Sequence, residues 1–120
     1  MNQAELRIEQ EAVRWVRRTS NKRFLLNHFA STKVYRSSEY PLVILMAGSP
    51  GAGKTEFIKS FQISIAKLQK VKPVVIDPDA VREFLPGYTG ANSYLFQRAI
   101  SIAVDDLFRW ALKNKQVVFL

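Results

Sequence analysis

The chain has 120 residues, 48% of them apolar and 12% aromatic, which makes it one domain or part of one with enough apolar content for a core and excludes disorder. It has no cysteine, which excludes a disulfide framework, thiolate metal sites and thiol catalysis and fits a reducing compartment. The net charge of +8 asks for an anionic partner, but it is spread: residues 1–40 carry eight Lys/Arg against four Glu, and residues 41–120 carry ten against six acids.

Residues 1–20 are charged throughout and so form no secretory signal. Residues 3–18 read as a helix with Leu6, Ala12, Val13 and Val16 near one face. A second short helix follows in TSNKRFLLNHFAST, with Ser20 or Asn21 as its cap and Phe24, Leu25 and Phe29 spaced to pack. The lone His28 and the two tryptophans, Trp15 and Trp110, read as structural, core or interface residues. KVYRSSEYP is a polar connector, so residues 1–40 form a helical N-terminal segment and residues 41–120 a second unit.

That unit opens on LVILMA (42–47), a continuous apolar strand of the kind covered on both faces in a parallel sheet. After a glycine-rich stretch, Ile58, Phe61, Ile65 and Leu68 recur at helical spacing, and PVVID (73–77) is a second apolar strand. PDAVREFLPGYTGANS holds a short helix and a Gly-rich loop. From about Asn92 a long helix follows, marked by Phe96, Ile100, Ala103, Leu107, Trp110 and Ala111, and QVVFL (116–120) is a third strand. The alternation predicts an α/β fold, a parallel sheet flanked by helices with right-handed crossovers. The chain stops on that third strand, as though the sheet were cut there. The longest apolar run, Pro41 to Pro50, falls well short of the roughly 20 residues of a membrane span, so a cytoplasmic protein is expected. No block of five like charges and no aromatic–basic interleaving occurs, which disfavours nucleic acid and leaves phosphate-bearing small molecules or an acidic partner protein.

Between the first strand and its helix, Gly48-Ser49-Pro50-Gly51-Ala52-Gly53-Lys54-Thr55 fits G-x-x-x-x-G-K-[ST], the P-loop. Phosphate oxygens must approach the main chain, so bulky side chains are excluded, and glycine permits the backbone that turns N–H groups inward as a nest. The following helix adds its positive end. Lys54 supplies a point charge for the β- and γ-phosphates and Thr55 a hydroxyl ligand for Mg²⁺. The plainer alternative is a Gly-rich turn with a solvated lysine, but the strand before and helix behind are the context a P-loop needs.

At the tip of the second strand, taken as a neighbour of the first, stand Asp77 and Asp79. Phosphoryl transfer needs a group to orient the acceptor hydroxyl and take its proton, and Asp79 is the candidate. Asp77 would hold a Mg²⁺-bound water or shape the loop. The structural alternative is that Asp79 caps a helix beginning at Ala80, with Glu83 in its first turn. Arg82, one turn on, either holds an anionic substrate or is solvated or ion-paired; Tyr88, at the tip of LPGYTG, is read as a substrate contact. On the long helix Asp105 shares a stripe with Arg98, Ser101 and Arg109, and Asp106 lies nearer the apolar face; one of the two would point into the cleft, the alternative for Asp105 being an i,i+4 pair with Arg109.

The P-loop GSPGAGKT, the run VVIDPDAVREFLPGY and the later VVFL together resemble the zeta toxin family of toxin–antitoxin systems over roughly residues 42–120. The resemblance implies a P-loop kinase using ATP and Mg²⁺ to phosphorylate UDP-N-acetylglucosamine, and a helical antitoxin that blocks the nucleotide site; GTP is also compatible with the motif. By position it gives Lys54 and Thr55 the nucleotide and metal roles, Asp79 the base and Asp105 a substrate contact. The family's acidic residue directly after the third strand, and its later arginines, have no counterpart in this chain. The alternatives are a kinase with another acceptor, such as an antibiotic, a nucleoside or a nucleic-acid end, and a nucleotide- or partner-binding fragment without catalysis that a complementary polypeptide completes.

Overall fold

The computed structural model describes residues 1–45 and 70–120, together with Glu56, Lys59, Ser60, Ile63, Ser64 and Lys67. Helix α1 (Gln3–Arg17) starts with a capping box: the Asn2 side chain accepts from the Glu5 N–H at 2.8 Å and the Glu5 carboxylate accepts from the Asn2 N–H at 3.3 Å. Ala12, Val13 and Val16 are buried, as their spacing demands. Leu6 is 43% exposed instead, because at 100° per residue it lies about a quarter-turn from the centre of the buried face; Ile8 packs against the core from the other flank.

An extended Arg18 separates α1 from α2 (Thr19–Ala30). Neither expected cap operates: α2 begins at Thr19 with no side-chain cap bond, and Asn21 Nδ2 donates backwards to the Trp15 carbonyl at 3.0 Å, closing the end of α1. Leu25, Leu26 and Ala30 are buried, whereas Phe24 stays at the surface in a ring cluster. There His28 meets Phe29 at 4.7 Å and Phe84 at 4.8 Å between centroids, edge to face, which bears out its structural reading.

Three parallel strands, β1 (Val43–Ile44), β2 (Val74–Val75) and β3 (Val118–Phe119), form the sheet in the order β1-β3-β2. Val43 and Val74 both pair with Val118, and Ile44 and Val75 with Phe119. The third strand therefore separates the first two, and the tips of β1 and β2 are not neighbours as expected from the sequence; two inter-strand spacings put them roughly 10 Å apart. β3 is buried and central. β1 is not covered on both faces as expected: Leu42, Val43 and Leu45 are exposed, whereas Val74 of β2, the other outer strand, is buried.

Beyond β2 come α3 (Pro78–Arg82), a loop, a 3₁₀ turn (Ser93–Leu95) and α4 (Gln97–Lys113). The loop is closed by Asn92, whose Nδ2 donates to the Gly87 carbonyl at 2.9 Å while its Oδ1 accepts from the Thr89 N–H. Gly87 has φ +86°, and a Cβ there would sit 3.2 Å from Ile8 of α1, so glycine serves both the turn and the docking of α1. Ala99, Ile100, Ala103, Leu107 and Ala111 are the buried stripe of α4, and a single core joins α1, α2, α4, β2 and β3. The first 30 residues are thus packed into the body of the α/β unit.

Candidate functional site

All three strands run the same way, so their carboxyl ends share one edge, where open α/β sheets bind ligands. β1 leads there into residues 46–55. That segment, with Gly48, Ser49, Pro50, Gly51, Ala52, Gly53, Lys54 and Thr55, lies outside the described residues, as do Ile58, Phe61, Ile65 and Leu68. The described positions between 56 and 67 are helical and exposed, as expected of the outer face of the helix that follows.

At the β2 end, the cap of α3 is Asp77, not Asp79: Asp77 Oδ1 accepts from the Asp79 N–H at 3.0 Å, and Pro78 occupies the first helical position. Proline suits that position because its missing N–H would be unpaired there anyway. The helix starts two residues before Ala80, and Asp79 is released from capping. Its carboxylate is 85% exposed and accepts from Arg82 Nη1 at 2.6 Å, a short charge-assisted contact. The Arg82 side chain is only 10% exposed, so the ion-paired reading of this arginine holds and the solvated one does not. Its Nε is buried and has no hydrogen-bond partner among the described residues. A buried N–H left unpaired costs about 1–3 kcal/mol, so the edge of the sheet holds a donor in want of an acceptor.

The remaining candidates are dispersed. Tyr88 is half-buried and packs its ring edge-on against Phe96, with centroids 5.5 Å apart. Asp105 Oδ2 pairs with Arg109 Nε at 2.9 Å on the exposed side of α4, and Asp106 faces Lys22 of α2 at 3.8 Å. Both acids of α4 are thus committed to cations on helices, and neither joins the Asp77–Arg82 group among the described residues. No trio of His, Asp and Glu close enough to hold a metal occurs among the described residues. A divalent ion here would rest on one carboxylate plus ligand oxygens, and Asp77 Oδ2 is the oxygen its capping bond leaves over. The sequence reading missed Asp77 as the cap, though Asp-Pro at a helix start signals it; it also missed the depth of Arg82, for which there was no local signal.

The family model described as Zeta toxin matches residues 26–120. A solved structure from the PezAT chromosomal toxin–antitoxin system of Streptococcus pneumoniae superposes with a TM-score of 0.64 at 23% identity, covering 99% of this chain and 45% of that one. At this identity the likeness concerns the fold, and it extends through α1 and α2. The chain spans under half the length of that solved chain. No curated protein sequence matches. No described helix is long and apolar enough to cross a membrane. The family match runs from within α2 through the glycine-rich segment and Asp77–Arg82 to Leu120, just past β3, and the chain belongs to the zeta toxin family.

Proposed function

We propose that the chain carries the nucleotide-binding half of a small-molecule kinase, cytoplasmic, which transfers the γ-phosphate of ATP to a sugar hydroxyl of UDP-N-acetylglucosamine and is held in check by an antitoxin protein. The observation that supports this best is the state of Asp79: relieved of capping by Asp77, exposed, and gripped by Arg82 beyond the carboxyl end of β2, in a chain that carries GSPGAGKT after β1. An accessible carboxylate held in one orientation is what a proton acceptor for the attacking hydroxyl requires. The strand order supports this reading, because with β3 between them the ends of β1 and β2 stand roughly 10 Å apart. Donor phosphate and acceptor hydroxyl need such a gap to meet in line.

In this reading residues 41–120 form the kinase core. The amides of residues 48–53 and Lys54 bind and orient the triphosphate, Arg82 positions Asp79 and, with Tyr88, supplies acceptor contacts, while Asp105 is left to its pair with Arg109. Thr55 and Asp77 would hold Mg²⁺, which neutralises charge on the transferred phosphoryl group. The test is phosphorus NMR of UDP-N-acetylglucosamine with ATP and Mg²⁺, using the chain with any polypeptide that completes it. Asp79→Asn is expected to lower the rate about 10²–10⁴-fold with ATP binding intact, and Lys54→Ala to weaken ATP binding. Undiminished turnover by Asp79→Asn would remove the base from the scheme, and turnover of some other acceptor alone would replace the sugar.

A further inference from the structure

A cavity of about 450 Å³ opens between α2 and α4, and none of its lining residues belongs to the carboxyl edge of the sheet. Its rim is cationic: Lys22 and Arg23 come from α2, Arg109 and Lys113 from α4, all exposed. One carboxylate, Asp106, shares the lining, and it meets Lys22 only at 3.8 Å. Arg23 and Lys113 have no ion-pair partner among the described residues. The floor is apolar and rigid, made by the buried Leu26 and by Trp110, whose Nε1 donates to the Ala30 carbonyl at 3.0 Å. Arg109 is paired with Asp105 at 2.9 Å and Lys22 is drawn on by Asp106, so Arg23 and Lys113 carry the surplus positive charge that an anionic occupant would relieve.

We propose that this cavity is a docking site for an acidic amphipathic segment of a partner protein, apolar side chains against Leu26 and Trp110 and carboxylates against the rim. The donors decide between a peptide and a phosphate. Phosphate sites use backbone N–H nests and fixed forks. Here the charges are long side chains standing in rows on two helices, Arg109 and Lys113 one turn apart, with an apolar strip between them. That is the layout of a groove that takes an amphipathic helix. The net charge of +8, which the phosphate loop alone does not use up, is accounted for in part by this face.

The probe is a fluorescein-labelled peptide with glutamates on one helical face and leucine and tryptophan on the other, titrated into the full chain at low salt. Saturable binding is expected, with a shift of the Trp110 indole N–H resonance and none of Trp15. The double variant Arg23→Glu/Lys113→Glu, at exposed positions, should weaken binding more than about tenfold, and Arg7→Glu/Lys33→Glu, which changes net charge equally elsewhere, less than about twofold. Equal losses in the two variants would mean unspecific attraction and overturn the proposal, as would no saturable binding. Displacement of the peptide by pyrophosphate with the same Trp110 shift would reassign the cavity to small phosphates. None of these outcomes bears on whether Asp79 acts as a base, so this proposal stands or falls apart from the kinase reading.

Discussion

At the scale of single residues, the Asp79–Arg82 pair shows how unequal burial shapes an ion pair. Arg82 is nearly buried and Asp79 nearly free, so the desolvation cost falls on the arginine, which also leaves its Nε unpaired. Replacing a buried charge by an apolar side chain of similar volume is often neutral or stabilising, whereas removing only its partner strands the charge. Arg82→Met is therefore expected to hold or raise the melting temperature, and Asp79→Ala to cost about 1–3 kcal/mol, both read by circular dichroism. A larger loss for Arg82→Met than for Asp79→Ala would mean that the pair is kept for stability. The expected order means that Arg82 is kept for what it does at the sheet edge. Asp77 and Asp79 also show where sequence reading fails locally: either aspartate could have capped α3, and the choice was made by Pro78, which needs the first helical position.

At the scale of elements, periodicity was enough for the helices and not for their ends or neighbours. The stripe from Phe96 to Ala111 was legible because burial on one side of a helix repeats every 3.6 residues. Strand order was not, since β2 and β3 are equally apolar and nothing local says which lies in the middle. Gln116 was likewise illegible as a tie: it is buried, and its Nε2 donates to the carbonyls of Ala30 and Tyr35 at 2.9 and 2.8 Å, fastening the end of α2 and the connector to β3 across more than eighty residues of sequence. Another long-range tie is at the start of α1, where the Tyr94 hydroxyl donates to Glu5 Oε2 at 2.7 Å. Tyr94 first, and then the Asn2 N–H, hold the Glu5 carboxyl below the usual carboxylate range, and the same bond raises the Tyr94 phenol above its usual value. A group whose pKa is lower folded than unfolded lends stability above the unfolded pKa and loses it as the pH falls through the folded one. Amide exchange over the first turn of α1 is thus expected to quicken as the pH drops below the carboxylate range, after allowance for the intrinsic rate, and Tyr94→Phe should flatten that dependence. An unchanged profile in Tyr94→Phe would leave the capping box alone as the cause.

For the molecule as a whole, the core and the sheet edges pull in different directions. The core is continuous from α1 to β3, in keeping with a likeness to the solved toxin–antitoxin structure that covers nearly the entire chain rather than residues 41–120 alone. The sheet has an apolar margin, however: on β1 and its flanks Leu42, Val43 and Leu45 are exposed, Leu45 at 72%, and Tyr40 nearby at 70%. An edge strand carrying apolar side chains is a template for pairing, and proteins that must stay apart usually blunt it with lysine or proline. Pro41 does this at the entrance to β1 but not within it. The net charge of +8 opposes association at low ionic strength, and salt screens it over distances longer than about 10 Å at 0.1 M, while contacts between edges are shorter than that. The chain by itself is therefore expected to self-associate with rising concentration, more strongly as salt is added. Val43→Lys should restore a monomer in light scattering without lowering the melting temperature by much, because Val43 is already 41% exposed. If the parent chain stays monomeric across the concentration range at high salt, the β1 margin is covered in solution by the protein's own residues. If Val43→Lys still associates, the contact lies elsewhere, and the cationic face between α2 and α4 is no candidate for it, because salt would weaken an attraction between charges rather than promote it.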